Sequence, residues 1–380
     1  TGAGENFIAA GDGLTIVALA DVFQDKLDAC RKFLAEKGQT ITDDMCFVGF
    51  DAYQKVMATD VDLVILTTPP YFRPEHFKAA VDAGKHIFNE KPCAVDLAGV
   101  KTIMLAAKNA DMKGLCVRSG TIRRSQRDCI ETYKRVCDGA IGEIVSANVM
   151  RNGGALWAKK RQAGWSDMEY MLRNWVNFNW LSGDHIVEQF VHEIDQIHWF
   201  TGKMPVSATG YGGRQRRVTG DQFDFFSICY QYENGTRQQC SARQINGCSN
   251  GTTIMLYGTK GYTNCAGKIF NMDGTVAWEY PYPKEGDADQ SMAVLNPFVQ
   301  EHIILVNAIR RGEKLNDTID IANSTLMAIM GRDAAYTGKT ITTEEALASD
   351  VKIGPKVIAM GAVPEFNETI PVAGTPSSAE

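Results

Sequence analysis

The chain has 380 residues, enough for two or three domains at ~150 residues each. Its 39 Lys and Arg against 45 Asp and Glu leave a formal charge of −6, which argues against a protein built to neutralise nucleic-acid phosphates. Apolar residues make up 44% and charged residues 22%, a globular composition, and no apolar run reaches the ~18 residues of a membrane span.

The sequence opens on Thr1-Gly2-Ala3-Gly4 with no initiator Met and no basic, apolar leader. It is therefore expected to start inside a longer gene product. The compartment stays open: cytoplasmic by default, periplasmic if an export signal lies upstream. Helical residues Glu5 to Ala10 come first. Leu14 to Ala20 is a β-branched run, read as a strand buried on both faces and ending at Asp21. A helix over Asp25 to Lys37 is closed by Gly38, and another spans about Asp51 to Thr59. Asp62 to Thr67 is a strand, Pro74 to Ala83 a helix, and His86 to Phe88 a strand that runs into Asn89-Glu90-Lys91-Pro92. Asp96 to Asn109 is a helix and Leu115 to Arg118 the next strand. This alternation predicts an α/β fold, a Rossmann-type doubly wound parallel sheet.

In such a sheet ligands lie beyond the carboxyl ends of the strands. Asp21 ends one strand, where a carboxylate accepts both ribose hydroxyls of an adenosine and repels a 2′-phosphate. NAD is therefore expected rather than NADP. The other reading is that Asp21 caps the next helix. The turn Thr67-Thr68-Pro69-Pro70 suits the pyrophosphate–ribose side. A Rossmann unit should open with a strand and G-x-G-x-x-G. Only Gly2 and Gly4 precede the first helix, so the first strand and most of the glycine loop are expected upstream of Thr1. Lys91, at a strand's end and followed by a Pro, reaches the nicotinamide end and polarises a substrate hydroxyl, or is a surface Lys in a β–α loop.

After Gly120 the pattern changes. A helix (Arg127 to Asp138) and a strand (Ile141 to Met150) precede an aromatic segment from Arg151 to Gly183, which holds four of the six tryptophans: Trp157, Trp165, Trp175 and Trp180. With Arg151, Arg161 and Arg173 interleaved, the segment suits a sugar or planar ligand; equally, its tryptophans plug into the scaffold. His185 to Phe200 reads as one helix. Ile186, Val187, Phe190, Val191, Ile194, Ile197 and Phe200 form its apolar half. His185, Glu188, His192, Asp195 and Trp199 form a narrow stripe opposite. Glu188, one turn before His192, can orient its imidazole and raise its basicity. The same spacing suits a metal, but no third ligand is evident and no metal is assigned. From Met204 to Asn271 three strands with turn signals predict an antiparallel sheet, followed by helices at about Asn296 to Arg311 and Thr318 to Thr337 and a flexible tail from Glu365 to Glu380. None of the ten cysteines forms a C-x-x-C pair, so buried reduced thiols are expected.

Asn89-Glu90-Lys91-Pro92, Gly183-Asp184-His185-Ile186-Val187-Glu188-Gln189 to His192-Glu193-Ile194-Asp195, and the helix Ala322 to Tyr336 together resemble the glucose–fructose oxidoreductase / inositol dehydrogenase (Gfo/Idh/MocA) family over roughly residues 1 to 350. Leu172-Arg173-Asn174-Trp175, Gly212-Gly213-Arg214-Gln215 and Arg243-Gln244-Ile245 are similar to a bacterial branch of sugar oxidoreductases, many with export signals. The resemblance implies a Rossmann domain (1–120) and an α+β substrate and oligomerisation domain (121–350) with an open, mostly antiparallel sheet that packs in homodimers or homotetramers. A C-terminal extension (351–380) would follow. Lys91 and His192 match the family's Lys and catalytic His; Glu188 stands where the pattern has Asp. The expected cofactor contacts are Gly2, Asp21, Thr67, Pro69, His76, Glu90 and Lys91. The expected substrate contacts are Arg123, Trp157, Trp165, Arg173, Trp175, His185, Arg214 and Arg243. The expected activity is NAD-dependent hydride transfer from a sugar or cyclitol secondary alcohol, with a rate that falls as pH drops through the pKa of His192. The alternatives are a glycosidase or lyase working through transient sugar oxidation, and a non-catalytic sugar-binding homologue.

Overall fold

The computed structural model describes residues 1–284, 292–366 and 368–374. Helix α1 (Gly2–Ile8) leads to strand β1 (Leu19–Asp21), α2 (Gln24–Glu36), β2 (Cys46–Val48), α3 (Ala52–Met57) and β3 (Leu63–Leu66). Then come α4 (Arg73–Asp82), β4 (His86–Asn89), α5 (Leu97–Met112), β5 (Val117–Ser119) and α6 (Arg127–Cys137). The parallel strands form two sheets, β1-β2 and β3-β4-β5. This is the strand–helix alternation expected of a doubly wound fold. The first strand is shorter than expected. Of Leu14 to Ala20 only Leu19 and Ala20 pair in a ladder, against Cys46 and Phe47, and Ile16 N bonds instead to the side chain of Gln39 at 2.9 Å.

The rest of the chain supplies β6 (Ile144–Gly153), α7 (Asp167–Arg173), α8 (Asn179–Ser182), α9 (His185–Glu188) and α10 (Val191–Thr201). Strands β7 (Ser207–Gly213), β8 (Phe225–Gln231), β9 (Arg237–Gln244), β10 (Gly251–Gly258), β11 (Gly261–Thr263), β12 (Lys268–Asn271) and β13 (Val276–Glu279) follow. Last come α11 (Pro297–Arg311), α12 (Thr318–Thr337), β14 (Ile341–Thr342) and α13 (Thr343–Ala348). A third sheet has nine strands in the order β13-β12-β11-β10-β6-β9-β8-β7-β14, antiparallel except for β6 beside β9. Along β8 and β9 every second residue is buried, as a sheet with one covered face requires.

Helix α12 binds the two halves. It packs on α5 from the parallel sheet, and on α10 and β7 of the nine-stranded one. A single apolar core runs through it, from Ile87 and Ile103 to Ile186, Phe190, Ile228 and Met327. The expected flexible tail begins as packed chain: Phe366 lies 5.8 Å from Phe178, and Gly374 N donates to Thr337 O. Of that tail, residue 367 and residues 375–380 lie outside the described residues. Cys93, Cys116, Cys129, Cys240 and Cys265 are buried free thiols, while Cys137 and Cys248 are exposed. No helix among the described residues is long and apolar enough to cross a membrane.

Candidate active site

Strand β4 ends at Asn89, and the next three residues form a turn fixed by a buried arginine. Arg73, in the first turn of α4, donates from Nε to Thr68 O at 2.8 Å and from Nη1 to Glu90 O at 3.0 Å and Pro92 O at 2.6 Å. One guanidinium thus ties the turn after β3 to the turn after β4. Burial pushes its pKa down to about 10, against the pull of Glu90 and Glu188, so it remains charged at neutral pH. Gly120 completes the turn's surroundings: a Cβ there would lie 2.5 Å from Glu90 Oε2, so a larger residue would displace that carboxylate from its present place.

Residues His185 to Phe200 are not one helix. α9 stops at Glu188 and α10 starts at Val191, with Gln189 at φ −106° and ψ −48° between them. The interruption gives the Glu188 carbonyl a different partner. Lys91 Nζ donates to Glu188 O at 2.5 Å and to Glu188 Oε1 at 3.1 Å. The two side chains are 12% and 8% exposed, so this is a largely dry ion pair one turn before His192.

The start of α9 is anchored by Asp184, which is buried and sits at φ +70°, ψ 165°, a backbone region that costs a non-glycine residue ~1–3 kcal/mol. Three donors hold it there: the N–H of His185 at 2.5 Å, the N–H of Phe223 at 2.9 Å and the Tyr336 hydroxyl at 2.5 Å.

A polar chain continues from the ion pair. Gln189 Nε2 donates to Glu188 Oε2, and Arg151 Nη2 donates to Gln189 Oε1 at 3.1 Å. Arg151 Nη1 reaches Glu193 Oε1 at 2.9 Å, and Arg123 Nη2 reaches the same oxygen at 3.3 Å. His192 therefore sits among three cations. Burial, then Lys91, Arg151 and Arg123, push its pKa well below 6.5, so the imidazole is neutral at physiological pH. The acid limb of any His192-dependent rate accordingly lies well below the ordinary histidine range. Burial raises the Glu188 carboxyl, but Lys91, Gln189 and Arg73 outweigh it and hold the group below 4.5.

A cavity of about 260 Å³ adjoins this network, just under the ~300 Å³ at which small-molecule pockets begin. Arg151, Gln189, His185, Phe190, Leu156 and Gln244 line it. His185 is 3% exposed, and its Nε2 has no hydrogen-bond partner among the described residues. Burial and the nearby Arg217 and Arg151 push its pKa well below 6.5. His185 thus contributes a neutral imidazole to the cavity wall, with Nε2 itself buried and unpaired among the described residues.

The structure brings together Lys91, Glu188, His192 and Arg123, and His185 one cavity wall away; Arg243 also belongs to that lining, with Nη2 on Ser249 O at 2.7 Å. It separates the others. Arg173 and Trp165 face the cofactor half: Arg173 pairs with Asp25 and stacks 3.9 Å over Phe23 and 5.2 Å from Trp165. Trp175 meets Trp157 edge-on at 6.4 Å, and Trp180 packs on Tyr71 at 4.9 Å, so Trp175 and Trp180 plug into the scaffold while Trp157 stays 48% exposed. Arg214 is tied to its own loop through Arg217 O and Gly220 O.

On the cofactor side, Asp21 uses Oδ1 to accept the Phe23 N–H at 2.9 Å, a local bond at the start of α2. Thr67 is exposed at the end of β3 and Pro69 caps the turn that follows. His76 lies behind that turn, 3.2 Å from Thr68 Oγ1 and stacked on Tyr53, with burial holding its pKa down to about 4. Gly2 is exposed at the start of α1. The stripe's remaining members serve elsewhere: Asp195 binds Arg124 and Ser324, and Trp199 stacks on Tyr133. Sequence reasoning missed Arg73, Asp184 and Gln189. Their partners lie on other elements or at a helix break, so no local signal in the sequence points to them.

Comparison with known proteins places the chain. The model of the oxidoreductase family's NAD-binding Rossmann fold matches residues 2–118, and that of the GFO/IDH/MocA C-terminal domain matches residues 131–264. The chain is 23% identical over 354 residues to 2,7-anhydro-N-acetylneuraminate hydratase of Escherichia coli K12, covering 83% of this chain and 90% of that one. It is 27% identical over 172 residues to the NADP(+)-linked scyllo-inositol 2-dehydrogenase of Bacillus subtilis 168, covering 45% and 43%. Scyllo-inositol dehydrogenase from Lactobacillus casei, solved with NAD(H) and scyllo-inositol, superposes with a TM-score of 0.65 at 21% identity over 92% of this chain and 96% of that one. This chain belongs to the GFO/IDH/MocA oxidoreductase family and carries its NAD-binding Rossmann domain.

Proposed function

We propose that this family member transfers hydride between a secondary alcohol of a sugar or cyclitol and a nicotinamide dinucleotide, with His192 taking the hydroxyl proton and Lys91 polarising the same oxygen. The supporting observation is the convergence of the two groups. Lys91 comes from the turn after a parallel strand and bonds Glu188, one turn before His192; His192 comes from the first turn of α10, where the Lys91 charge acts on its imidazole.

The residues at the strand ends fit such a cofactor. Asp21 keeps one carboxylate oxygen beyond its local bond, which suits the adenosine ribose hydroxyls and disfavours a 2′-phosphate; NAD is therefore proposed over NADP. The Thr67 to Pro70 turn would line the ribose–pyrophosphate side, and Lys91 the nicotinamide side. When bound, the nicotinamide supplies the two-electron acceptor. The protein supplies the rest. Neutral His192 accepts the proton, a role typically worth ~10²–10⁴ in rate. The Lys91 ammonium stabilises the developing alkoxide with the donor it does not spend on Glu188. Glu188 holds that ammonium in place, and Arg151 and Gln189 on the cavity wall offer polar groups to neighbouring hydroxyls. Homodimers or homotetramers built on the open sheet are proposed as the assembly.

The test is absorbance at 340 nm with NAD and a panel of cyclitols, aldoses and glycosides. NADH should appear with at least one of them, and His192→Ala should slow it by ~10²–10⁴. Turnover of the variant within threefold of the parent removes His192 from the chemistry. The likeness to the hydratase over most of the chain keeps a second reading, transient oxidation followed by elimination or hydration. Product formed without net NADH would select it.

A further inference from the structure

The composition of segment 151–183 suits a sugar, yet Arg173 within it faces the other way. Arg173, the last residue of α7, places two nitrogens on the two carboxylate oxygens of Asp25, at 3.0 Å and 2.9 Å. Its Nε donates to Glu169 at 2.8 Å, and its plane covers Phe23 at 3.9 Å. The side chain is 13% exposed. Phe23 and Asp25 follow directly on Asp21, at the strand end where the adenosine of a dinucleotide lies in a doubly wound sheet.

We propose that the Arg173–Asp25 pair is a latch across the adenosine end of the cofactor site, and that its opening sets the rate at which the dinucleotide leaves. This rests on the hydride-transfer reading above. The second half of the chain must come off Phe23 and Asp25 before that end is uncovered. A fork-on-carboxylate pair with a stacked ring is the geometry that holds such a contact closed. Its surroundings also make the contact reversible. Asp25 is 59% exposed, so water and salt compete for it each time it opens. Nearby, Trp180 seats on Tyr71, in the turn that follows β3, closing the next strand end in the same way. The hydrogen bonds of Arg173 go to Glu169 and Asp25, at the cofactor half, so it acts on cofactor exchange and not on the reacting atoms.

The experiment is NADH release from the full-length protein, followed by stopped-flow fluorescence on chasing with excess NAD. Arg173→Met and Asp25→Asn should each release NADH about tenfold faster, equivalent to ~1.4 kcal/mol. Asp25 is a surface residue, so its variant reports on the latch even where loss of Arg173 disturbs α7. The exchange D25R/R173E should recover most of the slow release, and added salt should speed release in the parent more than in either single variant. Release within twofold of the parent in both single variants overturns the latch while leaving hydride transfer intact. A parent that binds no NADH overturns the hydride-transfer reading and the latch with it.

Discussion

Replacing Lys91 with Met removes an ammonium that has two partners on one residue. The Glu188 carboxylate would keep Gln189 as its remaining bonded donor, at 8% exposure, and the Glu188 carbonyl would lose its ammonium donor. Breaking a buried ion pair by deleting one partner costs ~3–5 kcal/mol. Arg73 still exerts a favourable field on Glu188, which points to the lower end, about 3 kcal/mol by that same scale. The pH dependence gives the sign. In the parent the folded pKa of Glu188 is depressed below 4.5, so its stabilisation is present above that value and is lost as pH falls through the folded pKa. In Lys91→Met burial dominates, the folded pKa rises above 4.5, and the carboxyl takes up a proton on mild acidification. The destabilisation should therefore shrink between pH 7.5 and pH 5, by about 1.4 kcal/mol for every tenfold gain in the carboxyl's proton affinity. Urea unfolding of the parent, Lys91→Met and Lys91→Met/Glu188→Gln at both pH values reads this directly. The double variant should recover most of the lost stability at pH 7.5 without recovering activity. A single variant within ~0.5 kcal/mol of the parent, the range of an ordinary surface change, would refute the argument, as would a double variant no more stable than the single one.

Other consequences are more compact. Because cations and burial keep His192 neutral, alcohol oxidation should show no His192 limb between pH 6 and 8, and Lys91→Met should move its acid limb upward; a parent limb near pH 6.5 contradicts this. Arg73→Met should lower stability by ~2–5 kcal/mol and raise the sugar KM, since three carbonyls that now position two turns lose their donor; calorimetry and initial rates check it, and a melting temperature unchanged within error counts against it.

Much of the parallel half was legible because local pattern and tertiary role agree there. Leu63 to Leu66 is apolar, bounded by turn residues and buried in a sheet, and α2, α4 and α5 are capped or closed near where Gly38, Gly84 and Asp96 imply. The misplaced pieces have one cause: a partner distant in sequence. Leu14 to Val17 have strand propensity but no ladder partner, and a strand exists only where its backbone is paired. The helical period runs unbroken from Ile186 to Phe200, so nothing local announces the break after Glu188. That break is fixed by Asp184 below it and by Lys91, 97 residues earlier, which claims the freed carbonyl. Lys91 and His192 stood out in the sequence by motif and spacing, but Arg73 and Gln189 did not, because each acts through atoms on another element. The tryptophans misled for a related reason. Composition suggests a sugar platform, whereas Arg173 finds Asp25 and Phe23 across the fold and takes Trp165 with it.

The most direct test is a crystal structure of the full-length protein with the oxidised dinucleotide and a competent sugar or cyclitol. One substrate oxygen should lie within ~3.2 Å of both the Lys91 ammonium and a nitrogen of His192, with Glu188 still on Lys91. Two different oxygens on the two groups, or a sugar bound away from both, would contradict it.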